Sequence, residues 1–200
     1  MKVIGLCGGS GSGKGTVSAL FAEYGIPSID TDKIYSEITS YRSECMEALI
    51  SAFGPSVAND DGSLNRVEMR RLVFSSEGSD TRRKLLNDIT HRFVLAETDR
   101  RIDEYRRDGR AAVIADVPLL FESGFDAKCD FIVAVVANED TRISRIVDRD
   151  GITRDQAEKR IMTQIPTEEL IKRADFVIDN NGSVDRLREN VSALFSKLNL

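Results

Sequence analysis

The chain has 200 residues, of which 41% are hydrophobic and 30% are charged, with 14 Gly and 4 Pro. This composition suits one domain with a sizeable core, and it excludes a multidomain machine, a collagen-like repeat and a disordered chain. The formal net charge of −5 argues against general nucleic-acid binding, which needs a basic face. A small anionic ligand held by local arginines remains compatible with that charge.

The lengths of the apolar runs and the spacing of the cysteines bear on the cellular compartment of the protein. The longest apolar run, residues 131–137, is far too short to span a bilayer, and the glycine-rich stretch after Leu6 leaves no room for the apolar core of a signal peptide. The odd number and wide spacing of Cys7, Cys45 and Cys129 are atypical of a zinc site or a disulfide framework. We therefore expect a cytoplasmic protein without a membrane partner or an obligate protein partner.

Short apolar runs alternate with longer amphipathic stretches along the chain, which is typical of β-α-β units around a parallel sheet. Five strands are predicted, at residues 2–7, 27–30, 111–116, 131–136 and 176–178. Apolar residues at helical spacing predict a packing helix at residues 140–149 and another at the C-terminus, with Leu187, Val191, Leu194 and Leu198 on its buried face. The fold class is therefore α/β, with a five-stranded parallel sheet and helices on both faces.

A glycine-rich loop follows the first strand and precedes a helix that is predicted to begin near Thr16. Glycines let consecutive N–H groups turn toward one point, the helix N-terminus adds partial positive charge, and Lys14 reaches the outer phosphates. The pattern is that of a nucleotide triphosphate-binding loop. Its predicted nucleotide-binding residues are Gly9, Gly11, Ser12, Gly13, Lys14, Gly15 and Thr16.

The loop departs from the usual pattern at the residue after the lysine, where Gly15 replaces the Ser or Thr that commonly ligates Mg²⁺. Thr16 follows it, and Asp116 at the end of the third strand resembles a Walker B carboxylate, with helix capping as the alternative. We expect Mg²⁺ to be held largely through waters, phosphates and carboxylates, with Thr16 and Asp116 as candidate ligands.

Two carboxylates, Asp30 and Asp32, stand at the end of the second strand. Because the carboxyl ends of parallel strands converge on one crevice, Asp32 is predicted to face the phosphate that Lys14 holds, where it would accept a proton or help to hold Mg²⁺. For Asp30, an Asx cap is an equally good interpretation.

The interval between the second and third strands predicts an inserted helical lobe. The boundaries are a core of residues 1–40, 109–150 and 174–200, a lobe of about 41–108, and a short lid of about 151–173 whose helix breaks near Pro166. Arg142, Arg145 and Arg149 share one helical face before the lid. This face either compensates charge on a transferred phosphoryl group or is solvated or salt-bridged.

Taken together, these landmarks resemble the dephospho-CoA kinases, which are P-loop small-molecule kinases, over nearly the whole chain. The segment Val117–Glu122 is the most specific, because adenylate kinases carry Asp-Gly-Phe-Pro-Arg there and shikimate kinases a glycine triplet. The resemblance is carried by Gly5–Lys14, Ile29–Asp32, Asp61–Leu64, Val117–Glu122, Arg145–Arg149, Gln164 and Ala174–Gly182.

The resemblance implies transfer of the ATP γ-phosphoryl group to the ribose 3′-hydroxyl of dephospho-CoA, with ATP and Mg²⁺ as cosubstrate and cofactor. It implies that Asp32 is the general base, Lys14 the phosphate clamp and Arg149 a lid arginine that closes over ATP. It also implies that Arg145 and Asn180 bind the nucleotide, and that the lobe binds the acceptor. The implied acceptor contacts are Asp32, His91, Leu120 and Glu122.

Two alternatives stay open at this point. Another P-loop small-molecule or nucleotide kinase would share the loop and differ in the acceptor that its lobe selects. A nucleotide-dependent switch would also share the loop, but no Asn is followed by Lys anywhere in the chain, so the guanine-reading Asn-Lys-x-Asp motif is missing.

Overall fold

A computed structural model describes residues 1–74, 78–118 and 120–198. Leu119, which belongs to the segment that carries the resemblance, lies outside the described residues. The chain divides into two compact units, the first formed by Met1–Ile29 with Glu104–Leu200 and the second by Asp30–Asp103. The second unit begins earlier than the lobe that we placed at 41–108.

The first unit is built on a five-stranded sheet. Among the described residues its strands are β1 (Lys2–Cys7), β2 (Ser28–Asp30), β3 (Ala112–Asp116), β4 (Phe131–Val136) and β5 (Phe176–Asp179). Their order is β2-β3-β1-β4-β5. Strand β1 pairs in parallel with β3 and β4, and β4 pairs in parallel with β5. The predicted α/β class and the five-stranded sheet are confirmed.

Nine α-helices cover or connect these strands within the described ranges. They are α1 (Lys14–Glu23), α2 (Thr31–Ile38), α3 (Glu44–Phe53), α4 (Arg66–Phe74), α5 (Ser79–Arg107), α6 (Glu139–Asp150), α7 (Arg154–Met162), α8 (Thr167–Arg173) and α9 (Val184–Leu198). Single 3₁₀ turns occupy Pro55–Val57 and Phe125–Lys128. No helix in the part of the chain that the structure describes is long and apolar enough to cross a membrane.

The core of the first unit explains why these segments fold as they do. Alternate residues of β1 and β4 face α1 and α9, and the four predicted leucine and valine positions of α9 are all buried there. On the opposite face, the gap at Gly5 is filled by Leu120 and the Cys129 Sγ. Covered on both faces, the central strands consist of nearly continuous apolar runs, as strands in a buried parallel sheet do. Their carboxyl ends therefore open at one edge, where the phosphate loop leaves β1.

The second unit has its own core, formed by helices α3 and α4 and the 3₁₀ turn between them. Ser43 caps α3 through a 3.1 Å hydrogen bond that its Oγ accepts from the Met46 N–H. Helix α5 contributes its partly buried apolar residues to the same cluster. The fully buried members are Cys45, Met46, Leu49, Val57, Leu64, Met69 and Val73.

Candidate active site

The phosphate loop turns into α1 through Gly13, which caps the helix in the left-handed region with φ 96°. A Cβ at this position would lie 2.0 Å from the Asn180 Nδ2, so the loop and the residue after β5 leave space only for glycine. The backbone conformation and the packing therefore both require Gly13. The helix begins at Lys14, two residues before the predicted start near Thr16.

The N-terminus of α1 is open toward the loop. Within the described chain, no side chain caps this helix and its first turn carries no acidic residue. The Ser12 Oγ is buried beside it and has no hydrogen-bond partner among the described residues. Helix N-termini with free N–H groups bind anions. The residues present thus fit a phosphate group, which would supply acceptor oxygens.

Lys14 and Asp116 meet at the edge of the sheet. The Lys14 Nζ donates a 3.1 Å hydrogen bond to the carbonyl of Gly8 and lies 3.9 Å from the Asp116 Oδ1. Both side chains are about four-fifths buried. Strands β1 and β3 are neighbours in the sheet, and this adjacency brings the two predicted site residues together.

The described residues offer few protein ligands for the predicted Mg²⁺. Gly15 and Thr16 are exposed on the first turn of α1, and a Cβ at Gly15 would meet nothing within 4 Å. Among the described residues, no group of three or more His, Cys, Asp or Glu is arranged to hold a metal ion. Asp116 lies beside Lys14, and this single carboxylate suits a largely hydrated Mg²⁺ better than an ion held by protein ligands alone.

The side chains of Arg145 and Asn180 donate hydrogen bonds to backbone carbonyls of the phosphate loop. The Arg145 Nη1 donates to the carbonyls of Gly11 at 3.2 Å and Ser12 at 3.4 Å, and its Nη2 donates to the carbonyl of Asn180 at 3.0 Å. The Asn180 Nδ2 donates a 2.7 Å hydrogen bond to the Ser12 carbonyl. Both predicted nucleotide-binding residues therefore contact the phosphate loop itself.

Arg142 and Gln164 also contact the loop. The sequence left Arg142 open between compensating phosphoryl charge and a solvated or salt-bridged face, and it gave Gln164 no role in the site. The Arg142 Nε donates to the Ser10 carbonyl at 3.0 Å, and the Gln164 Oε1 accepts from the Ser10 N–H at 3.0 Å. Arg142 is 6% exposed. The interpretation of these arginines as a solvated face is therefore wrong at this position. Gln164 could have been predicted as a site residue because it is one of the positions that carry the resemblance.

Arg149 points away from this cluster. Its Nε and Nη2 donate to the Asp150 carboxylate at 2.7 Å and 2.9 Å, and its side chain is 61% exposed. Arg160 on α7 donates to the same carboxylate. The two guanidinium groups hold the pKa of Asp150 well below its ordinary range. Helix α7 packs against α6 through Ile143, Ile146 and Ala157.

In the second unit, Asp30 caps α2. Its Oδ1 accepts from the N–H groups of Asp32 at 3.0 Å and Lys33 at 3.1 Å. The capping interpretation of Asp30 is therefore confirmed. Asp32 lies in the first turn of α2, where negative charge is favourable. His91 is exposed in the middle of α5.

The remaining predicted acceptor residues follow β3. Leu120 is 1% exposed, and its carbonyl accepts a 3.1 Å hydrogen bond from the Phe125 N–H. Glu122 is exposed. Between them, Phe121 lies under the guanidinium of Arg173 at the end of α8, with 3.8 Å between the Arg173 Cζ and the ring centroid. This contact links the segment after β3 to the predicted lid.

The three cysteines are free thiols that are buried or partly buried. Burial raises the pKa of the Cys7 and Cys45 thiols to about 11 and that of Cys129 to about 12. A thiol with such a pKa stays protonated near neutral pH and is a poor nucleophile or metal ligand.

A glycine-rich loop between the central strand and an uncapped helix, with a lysine beside the aspartate of the neighbouring strand, defines a P-loop nucleotide-binding protein. An arginine-rich pair of helices, α6 and α7, follows β4. The dephospho-CoA kinase family model matches residues 2–186. The chain belongs to the dephospho-CoA kinase family.

Individual relatives agree with this assignment. The chain is 42% identical to a dephospho-CoA kinase from Symbiobacterium thermophilum over 193 residues, covering 96% of this chain and 80% of the relative. It is 40% identical to one from Corynebacterium efficiens over 198 residues, covering 99% and 98%. A Thermus thermophilus crystal structure superposes with a TM-score of 0.80 at 32% identity, covering 98% and 97%. The family and the kinase class that the sequence predicted are confirmed.

Proposed function

We propose that this chain transfers the γ-phosphoryl group of ATP to the ribose 3′-hydroxyl of dephospho-CoA, giving CoA and ADP, which is the last step of coenzyme A synthesis. Family membership gives the reaction class. The observation that carries the proposal is the open N-terminus of α1, with the Lys14 Nζ beside Asp116 and the buried, unpartnered Ser12 Oγ.

On the nucleotide side, the loop residues bind the triphosphate and Lys14 holds its outer phosphates. Nucleotide binding would draw the Lys14 Nζ from the Gly8 carbonyl toward phosphate oxygens, since charge-assisted hydrogen bonds are the stronger ones. Arg145 and Asn180 fix the loop carbonyls, so that the N–H groups between them face the phosphates. Their role in binding ATP is therefore to shape the loop.

On the acceptor side, Asp32 is the general base. Its carboxylate takes the proton of the 3′-hydroxyl, the 3′ oxygen bonds to the γ-phosphorus, and the bond from that phosphorus to the bridging oxygen breaks, which leaves ADP. His91, Leu120 and Glu122 are the further acceptor contacts.

Mg²⁺, when bound with ATP, neutralises charge on the phosphate oxygens. Asp116 would orient its water shell, and Thr16 would offer a hydroxyl one residue beyond Gly15. Asp116 would thus interact both with the water shell of Mg²⁺ and with the Lys14 ammonium group.

The segment 151–173 is the lid, and Arg149 is its arginine. Arg149 pairs with Asp150, so closure of this arginine over ATP would require that pair to open. An exposed ion pair of this kind is worth little, which makes the exchange of partners cheap. We place the enzyme in the cytoplasm, where ATP and the acceptor are available.

An acceptor comparison tests the proposed function. Purified protein with ATP and Mg²⁺ is assayed for ADP release with dephospho-CoA, AMP, shikimate or no acceptor. We expect release with dephospho-CoA alone. Turnover with AMP or shikimate and not with dephospho-CoA would retain a P-loop kinase and refute this acceptor.

A further inference from the structure

Ser10, in the middle of the phosphate loop, is held at each of its polar groups by side chains from outside the loop. Its N–H donates to the Gln164 Oε1 at 3.0 Å, and its Oγ accepts from the Gln164 Nε2 at 2.9 Å. Its carbonyl accepts from the Arg142 Nε at 3.0 Å. The direction of the Ser10 peptide groups therefore depends on two side chains, one from α6 and one from the turn between α7 and α8.

Arg142 connects these contacts. Its Nη2 donates to the Gln164 Oε1 at 2.8 Å, and its Nη1 donates to the Thr167 Oγ1 at 3.4 Å. One guanidinium therefore hydrogen-bonds to the loop, to the turn and to the start of α8. The loop lies directly against it, since a Cβ at Gly9 would be 2.2 Å from the Arg142 Nη2. The guanidinium fork thus fixes the loop by hydrogen bonding and by close contact.

The charge of Arg142 is not neutralised by an ion pair. Its hydrogen-bond acceptors are a carbonyl, an amide and a hydroxyl, and no carboxylate of the described residues lies within ion-pair distance of it. Burial lowers its pKa, while the more distant Glu139 acts in the opposite direction. Buried cations normally have an anionic partner. Here the unneutralised cation lies against a loop that is built for anions.

We propose that Arg142 is a positioning residue for the triphosphate, acting through Ser10 and Gln164. Its planar fork orients the loop N–H groups, and its charge favours an anionic ligand on the other side of the loop. The inference rests on the proposed function, because it takes the triphosphate of ATP as the loop's ligand. It assigns to the interior of α6 a role distinct from the phosphate clamp of Lys14.

Binding measurements without an acceptor separate this role from catalysis. Isothermal calorimetry with ATP, inorganic tripolyphosphate and adenosine is run on the wild type, Arg142→Met and Arg142→Lys. We expect Arg142→Met to weaken ATP and tripolyphosphate about tenfold, equivalent to about 1.4 kcal/mol, without changing the affinity for adenosine. Arg142→Lys keeps the charge and loses the fork, so it should recover only part of this loss.

Arg188→Met is the matched control. Arg188 lies on α9 and pairs at the surface with Glu23, outside the lid and the loop contacts of Arg142. It should bind all three ligands as the wild type does. A second readout is the hydrogen-exchange rate of the Ser10 amide in the ligand-free protein, which should rise in both Arg142→Met and Gln164→Ala.

The outcomes are distinct. Unchanged tripolyphosphate affinity in Arg142→Met would overturn the inference, and so would an equal loss of adenosine affinity, which indicates a purely structural role. If Arg142→Met does not fold, Gln164→Ala at the partly exposed turn replaces it, with the same expected selective loss. Failure of the wild type itself to bind ATP would instead refute the proposed function.

Discussion

The Lys14 Nζ lies 3.9 Å from the Asp116 Oδ1 and donates a 3.1 Å hydrogen bond to the Gly8 carbonyl. Two protein groups thus fix the position of the predicted phosphate clamp. Because its partners belong to adjacent strands and to the start of the loop, the sheet itself sets the position of this cation. A ligand with phosphate oxygens completes the arrangement.

Lys14→Met should fold and lose affinity for ATP. Removing one charge-assisted hydrogen bond from the phosphates costs about 1.5 to 3 kcal/mol, which corresponds to a loss of roughly tenfold or more. Equilibrium binding of ATP measures the effect. Lys197→Met, at an exposed position of α9, is the control and should bind ATP normally. Normal ATP affinity in Lys14→Met would contradict the role of Lys14.

Asp32→Asn should abolish most turnover while leaving ATP affinity nearly intact. General-base catalysis contributes roughly 10²- to 10⁴-fold, so kcat should fall by about that factor. Asp30→Asn is the matched control, since asparagine caps a helix as well as aspartate does and the cap of α2 is kept. Steady-state kinetics of both variants give the comparison. Turnover at the wild-type rate in Asp32→Asn would show that another group is the base.

Gly15→Ser should lower the Mg²⁺ concentration that gives half-maximal activity. The structure accepts the side chain, because a Cβ at this position meets nothing within 4 Å. The new hydroxyl stands where P-loop proteins commonly ligate the metal. Gly15→Ala adds the Cβ without the hydroxyl and should leave the metal requirement unchanged. An Mg²⁺ titration that gives the same midpoint for Gly15→Ser and Gly15→Ala would mean that the hydroxyl is dispensable.

Gly13→Ala should disrupt the phosphate loop. Its φ of 96° is strained for alanine, and the new Cβ would lie 2.0 Å from the Asn180 Nδ2. Gly25→Ala separates the two effects, since Gly25 has φ 77° and open space around it. We expect a loss of about 1 kcal/mol of stability with normal ATP binding in Gly25→Ala, and loss of ATP binding in Gly13→Ala. Equal ATP binding by both variants would contradict the packing argument.

Glu97 should contribute to acid stability. Hydrogen bonds from Arg100 and Arg101 lower its pKa from 4.5 to about 2, against the opposing effect of burial. Because the folded-state pKa lies below the unfolded value, this stabilisation is complete above about pH 4.5 and is lost as the pH falls toward 2. The difference in Tm between the wild type and Glu97→Gln should therefore shrink over that range. A constant difference would refute this assignment.

Much of the fold was predictable because buried strands and glycine loops leave strong local patterns. The predicted strands differ from the observed ones by at most one residue at either end. Strand β4 is a continuous apolar run that follows Asp130, and β1 is a mostly apolar run that ends at the glycine-rich loop. The start of the second unit was less predictable. Asp30 ends β2 and caps α2, as the capping interpretation of the sequence allowed, but the pattern did not show that the second unit begins at this residue.

The site was predictable where one motif holds the residues together, as in the loop around Lys14. It was not predictable for Arg142, because helical spacing places Arg142, Arg145 and Arg149 on one face without showing what packs there. The structure gives each a different environment: Arg142 is buried, Arg145 contacts the loop carbonyls, and Arg149 pairs with its neighbour Asp150. These environments depend on distant segments such as the turn at Gln164.

The most direct test of the central claim is the identity of the product formed from ATP, Mg²⁺ and dephospho-CoA. Mass spectrometry and phosphorus NMR of the purified product determine how many phosphoryl groups were added and to which oxygen. The account predicts one added phosphoryl group, attached at the ribose 3′ oxygen, with one ADP formed for each product molecule. Unmodified dephospho-CoA beside hydrolysed ATP, or a phosphoryl group on another oxygen, would contradict it.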